Sequence, residues 1–193
     1  MPGSIHWQET HGVAIDKAGF IHVKHRAGVE KPKSTAEAQD TIVVFDPDSK
    51  FVRSFGKAYP GGAHGIDIRE ESGHEFLYLC CMFPVSLVLK TDLKQEVVWT
   101  KEVPKEPHVY DKPGTPFSPT NVAFAPEGGF YVGDCYGSHY IHQYDKDATW
   151  LRTLADLGDG RGTFKQRPKF RGHRSSGDTI RNSPQAWDET RAA

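Results

Sequence analysis

Short runs of alternating apolar and polar residues recur along this chain with a period of a little over fifty residues. His11-Gly-Val-Ala-Ile-Asp16, His64-Gly-Ile-Asp-Ile68 and Thr120-Asn-Val-Ala-Phe124 open the three repeats. Each is followed by a Gly-containing turn and a second alternating run: Phe20-Ile-His-Val23, Phe76-Leu-Tyr-Leu79 and Phe130-Tyr-Val132. A loop and two more short apolar runs complete each unit. A period of two marks strands half buried on one face. Four short strands repeated at a fixed interval predict the blades of a β-propeller. The expected fold is therefore all-β, with about three four-stranded blades.

Within the first unit the pattern predicts strands over Gly12–Asp16, Phe20–Lys24, Thr41–Phe45 and Phe51–Phe55, with a long polar loop from Ala27 to Asp40. Asp46-Pro-Asp-Ser49 has the chemistry of a turn. The second unit continues with Ser86–Lys90, a turn over Thr91–Gln95 and Glu96–Thr100; the third with Tyr140–Tyr144, a turn over Asp145–Ala148 and Thr149–Leu154. These place blades at about 11–57, 62–104 and 117–158 within a propeller segment of 9–165. Pro104–Pro119 reads as a connector too polar for a strand. Arg53, Lys101 and Arg152 fall on the fourth, outer strands, where charge protects an open edge. From Lys165 onward alternation stops, and seven basic side chains face three acidic ones. Residues 166–193 read as a disordered basic tail because they hold too few apolar groups to fold. The abrupt loss of pattern suggests a truncated or frame-shifted product.

Composition narrows the functional classes. The 193 residues carry a net charge of −1, which gives no global reason to bind nucleic acid. No apolar run approaches the roughly 20 residues of a membrane span. The first residues lack the basic-then-apolar pattern of a secretory leader. Three cysteines make a poor disulfide framework, and adjacent Cys80 and Cys81 on one strand must point to opposite faces. They read as free thiols or packing residues.

The repeat core resembles NHL repeats. Three stretches resemble, more narrowly, the peptidyl-α-hydroxyglycine α-amidating lyase family: Gly12-Val-Ala-Ile-Asp16 with His25-Arg26 downstream, Ala63-His-Gly-Ile-Asp67, and Pro119-Thr-Asn-Val-Ala123 with Asp134-Cys-Tyr-Gly137. Asp40-Thr-Ile-Val-Val-Phe-Asp46 also matches that family's first blade. The resemblance implies the first three blades of a six-bladed propeller that cleaves a hydroxyglycine-extended peptide to a peptide amide and glyoxylate. It implies zinc at the channel mouth and a structural calcium in the channel. Residue by residue, His64 matches a zinc ligand, Arg26 the arginine that holds the substrate carboxylate, and Tyr136 the tyrosine that serves as base. Val13 and Ile66 match positions whose backbone carbonyls bind the calcium.

The departures from that family are equally specific. Its other two zinc histidines and an acidic calcium ligand belong to later blades, so the ligand set in this chain is incomplete, and catalytic zinc usually has three protein ligands. The family's disulfide near the tyrosine is missing. His11 holds the same repeat position as His64, where the family carries no histidine, and is not counted as a ligand. His139 and His142 would face opposite sides of a strand and read as non-ligands.

Three blades leave the apolar faces of the first and last exposed, so a homodimer closing a six-bladed ring is one expected assembly; His11 and His64 of both copies would then line one channel. The expected partner is a peptide or small molecule at the channel mouth, with neither nucleic acid nor membrane. The compartment stays open, since the family is often exported. Two function classes follow: an amidating-lyase-like metalloenzyme, inactive if truncated, or a non-catalytic NHL-type binding module. A propeller enzyme acting on lactones or esters lacks the acidic ligands it would need at the strand starts.

Overall fold

The computed structural model describes residue 5 and residues 7–27, 39–59, 62–82 and 85–155. The expected tail at 166–193 lies outside these. The described residues form twelve strands in three antiparallel sheets. The first sheet holds β1 (Thr10–Ile15), β2 (Ile21–His25), β3 (Ile42–Phe45) and β4 (Phe51–Phe55). The second holds β5 (Ala63–Glu71), β6 (His74–Cys81), β7 (Leu87–Asp92) and β8 (Val97–Lys101). The third holds β9 (Asn121–Phe124), β10 (Phe130–Gly133), β11 (Ile141–Tyr144) and β12 (Trp150–Ala155). Within each sheet spatial order follows sequence order. The first strands of neighbouring sheets meet, β1 against β5 and β5 against β9. These are three consecutive propeller blades, as the repeat predicts. No helix of the described residues is long and apolar enough to cross a membrane.

The middle blade is packed on both faces. Leu77, Leu79 and Cys81 join Ile42, Val44 and Phe55 of the first blade in one buried cluster. Tyr78 and Cys80 join Val122, Phe130, Val132 and Tyr144 of the third blade in another. The first core is mostly aliphatic. In the second, Phe130 stacks on Tyr144 with ring centres 5.0 Å apart. The pleat thus sends Cys80 and Cys81 to opposite cores, and both are free and buried. Burial pushes the Cys80 thiol up to about 12, which makes it a packing group rather than a nucleophile. Cys135 is free and exposed.

Turns between third and fourth strands share one device. Asp46 Oδ1 accepts hydrogen bonds from the backbone of Asp48 and Lys50 at 3.0 and 2.8 Å. Asp92 does the same for Lys94 and Glu96, and Asp145 for Asp147 and Thr149. The residue three positions after each aspartate has positive φ: Ser49 at 62°, Gln95 at 81°, Ala148 at 60°. An aspartate that binds its own backbone two and four residues on holds the chain in that turn without a glycine. It also sets the strand ends. β7 runs through Thr91 to Asp92, past the expected boundary, because Asp92 rather than Thr91 organises the turn. The hairpin of β5 and β6 is likewise longer than alternation predicts. It closes on Ser72 and Gly73, with φ of 51° and 83°, the left-handed pair favoured in two-residue hairpins.

Candidate functional site

An up-and-down meander puts the starts of first strands and the ends of second strands at one end of every blade. That topology gathers His11 on β1, Arg26 just beyond β2, His64 on β5 and Tyr136 just beyond β10 at one mouth. The His64 ring stands edge-on to Tyr136 with centres 5.4 Å apart. On its other side it stacks on His11 at 4.8 Å and 27°. The charge of Arg26 is felt by both imidazoles. Arg26, His64 and Tyr136, singled out from sequence on separate blades, therefore share one site, and His11 joins them.

Two glycines allow the innermost strands to come close enough for this. A side chain at Gly12 would reach Ile66 Cγ2 at 2.7 Å and the His64 carbonyl at 3.1 Å. One at Gly65 would meet the Thr120 carbonyl at 2.5 Å. The glycine after each histidine is a packing requirement, and it brings the His11, His64 and Thr120 positions of successive repeats side by side. His64 Nδ1 then lies 2.6 Å from the Thr120 carbonyl oxygen. A carbonyl can only accept, so Nδ1 carries the hydrogen and Nε2 of the neutral ring keeps its lone pair. Burial lowers the His64 pKa; the Thr120 carbonyl opposes this, while His11, Lys24 and Arg26 add to it. His11 is lowered by burial and by Arg26, with Glu9 pulling the other way.

Arg26 is anchored by its backbone, whose N–H donates to the Glu9 carbonyl at 3.0 Å. Its side-chain Nε is buried without a hydrogen-bond partner among the described residues. Buried guanidinium donors are normally satisfied, so this one calls for an acceptor. Tyr136 is carried by a loop that Asp134 organises. The buried Asp134 carboxylate accepts from the backbone of Ser118 at 2.6 Å and Ser138 at 2.7 Å, and from the Tyr110 hydroxyl at 2.9 Å. Burial pushes its pKa up, against the pull of these donors. A side chain at position 137 would collide with this carboxylate, which accounts for Gly137 in the Asp-Cys-Tyr-Gly motif. Tyr136 also borders a cleft of about 520 Å³ lined by Val85, Val103, Tyr110, Pro116 and Phe117 among others.

Val13 and Ile66 occupy equivalent positions on β1 and β5, one residue past the close-packed glycines. The Val13 side chain is exposed, whereas that of Ile66 is buried between blades. Next to Ile66, the Gly65 carbonyl already accepts from Lys24 Nζ at 3.4 Å. Lys24 is fully buried and also donates to the Cys80 carbonyl at 2.5 Å. Among the described residues no group of three His, Cys, Asp or Glu side chains is arranged to hold a metal.

Sequence reasoning passed over Lys24 and Tyr110 and read His142 only as a non-ligand. Tyr110 lies in the connector, and its hydroxyl bridges Asp134 and His142 Nε2, the latter at 2.8 Å. His142 is fully buried, its Nδ1 3.1 Å from Thr153 Oγ1, and burial lowers its pKa to about 4. A polar side chain in register with apolar neighbours on an inward face is the only sequence signal that marks Lys24 and His142. Nothing in the connector's composition marks Tyr110.

No protein-family model and no curated protein matches the chain. Among solved structures, that of streptogramin B lyase superposes with a TM-score of 0.52 at 14% identity, covering 81% of this chain and 43% of that one. A crystal structure of a protein of unknown function from Bacteroides caccae gives a TM-score of 0.47 at 19% identity over 82% of this chain and 48% of that one. The chain thus spans just under half the length of the structures it resembles. At such identity the likeness to the lyase speaks for the fold alone, and that fold is the β-propeller.

Proposed function

We propose that the mouth formed by Arg26, His64 and Tyr136 binds the carboxylate end of a peptide, and that its chemistry is of the peptidyl-α-hydroxyglycine lyase kind. The observation that carries this reading is the convergence of these three side chains from three blades. In it the Arg26 guanidinium, whose buried Nε has no acceptor among the described residues, pairs with the terminal carboxylate. The apolar cleft beside Tyr136 receives the preceding peptide side chains. His64, with Nδ1 committed to Thr120, presents Nε2 as a ligand atom for zinc, which when bound supplies the Lewis acidity that lowers the pKa of the substrate hydroxyl. The Tyr136 oxygen, in its deprotonated form, takes the hydroxyl proton and hands it to the amide nitrogen as the carbon–nitrogen bond breaks. The carbinol carbon becomes the aldehyde of glyoxylate, the peptide amide leaves, and the base is regenerated. A calcium on the Val13 and Ile66 carbonyls belongs to the same reading.

A second reading is a non-catalytic binding module using the same mouth, which needs only the buried Arg26 Nε and the cleft beside Tyr136. One experiment separates the two. A peptidyl-hydroxyglycine is incubated with the protein and zinc, with glyoxylate followed by mass spectrometry and binding by calorimetry. Glyoxylate formation lost in Arg26→Ala and Tyr136→Phe supports the lyase; binding lost in Arg26→Ala without turnover in any form supports the module. Neither binding nor turnover overturns both.

A further inference from the structure

The geometry points to His11 as a second metal-ligating imidazole beside His64, forming a bis-histidine site for a borderline divalent cation such as Zn²⁺. The inference rests on the reading of His64 as a ligand and adds a residue to it. Three observations carry it.

The first is spacing. Two imidazoles bound at about 2.0–2.1 Å to one tetrahedral ion have ring centres roughly 5 Å apart. The His11 and His64 centres are 4.8 Å apart.

The second is backbone. Both histidines sit at irregularities of the innermost strands. Thr10 pairs with His25 and Gly12 with Lys24, which leaves His11 as an extra residue on β1. Ala63 pairs with Cys81 and Ile66 with Leu79, so His64 and Gly65 together face Cys80. A bulge rotates the inserted side chain out of the regular alternation, and such bulges collect where a side chain must be aimed. The third blade pairs regularly from Asn121 to Phe124 and carries Thr120 at the equivalent position. The bulge therefore goes with the histidine in the two repeats that have one.

The third is the tautomer. The bond from His64 Nδ1 to the Thr120 carbonyl is the outer contact that ligating histidines ordinarily make, and it leaves Nε2 for the metal. His11 is an exposed residue although its ring stacks on His64, so an ion can approach the pair from solvent.

The surrounding charges set what completes the site. The charges of Arg26 and Lys24 are felt by both rings, and that of Glu9 by His11. Two imidazoles and a net positive surround call for an anionic group in the remaining positions, and a ligand carboxylate shared with Arg26 has that character.

The test is zinc affinity, measured by competition with a chromophoric chelator on the full chain, for wild type, His11→Gln, His64→Gln and Thr120→Ala as a backbone-preserving control. Cobalt(II) absorption bands in the visible give an independent readout of nitrogen ligation. The expected result is one ion per chain, at least about tenfold weaker in either histidine variant, and unchanged in Thr120→Ala. Loss only in His64→Gln overturns the role of His11 and leaves that of His64 standing. Unchanged affinity in both variants, or no binding by wild type, overturns both roles. A far-ultraviolet spectrum matching wild type shows that a variant's loss is not unfolding; if His11→Gln fails this check, His11→Asn replaces it.

Discussion

The two ends of the blades are built to different rules. At the far end, Asp46, Asp92 and Asp145 make the same pair of backbone hydrogen bonds three times over, each followed by a residue of positive φ. At the mouth, the equivalent positions are His11, His64 and Thr120, and the loops beyond them share no motif. Repetition survives where the backbone alone dictates the residue. Where side chains meet each other and the solvent, each blade has its own. The far end is set by the backbone; the mouth is where the side chains differ from blade to blade.

The sharpest way to break that contrast is acid. His142 is neutral and buried at the mouth end, with a folded pKa of about 4 against 6.5 in the unfolded chain. Its contribution is whole above pH 6.5, is lost as pH falls toward 4, and is then constant, a total of about 3 kcal/mol. Asp134 opposes this, since burial raises its pKa and protonation of the folded state sets in above the unfolded value. Urea unfolding followed by tryptophan fluorescence should therefore show a large loss of stability between pH 7 and pH 4. The loss should be smaller by most of that amount in His142→Gln. An equal loss in the variant would assign acid sensitivity to other groups.

Next in size is Gly65→Ala, which drives a methyl group against the Thr120 carbonyl and should cost about 2 kcal/mol by overpacking. The same change at Gly73, where nothing lies within 4 Å, meets only the strain of positive φ, about 1 kcal/mol. A reversed ranking in thermal melts would mean that the innermost strands can move apart freely. At the far end Asp92→Ala should cost about 1 kcal/mol through two lost backbone hydrogen bonds on an exposed turn. Arg26→Ala should change stability by less than about 0.5 kcal/mol while abolishing carboxylate binding, measured by calorimetry. An Arg26→Ala variant that costs more stability than Asp92→Ala while leaving binding intact would erase the distinction between the ends.

Strand positions were legible in the sequence because half-buried strands impose a period of two, and Phe51–Phe55 falls where alternation puts it. The glycines after His11 and His64 were legible as a motif but not as what they are, close contacts between strands more than fifty residues apart. Arg26, His64 and Tyr136 were found through resemblance to a family; their convergence follows from the meander. His11 was set aside because pattern comparison weighs each position alone, whereas the stack on His64 is a property of two repeats in contact. Lys24 was hidden for another reason. Its partners are backbone carbonyls of β5 and β6, and no residue identity advertises a carbonyl.

The alternation of β6 has one further consequence. Leu77, Leu79 and Cys81 serve one core while Tyr78 and Cys80 serve the other, so a single eight-residue strand is the shared wall of two compartments. In a linear array whose units touch only their neighbours, the unit in the middle sets cooperativity. Either outer sheet can open while one compartment stays sealed; the middle sheet cannot open without flooding both. Its amides are accordingly the last to exchange with solvent, and a one-residue deletion within it would swap the contents of both compartments at once.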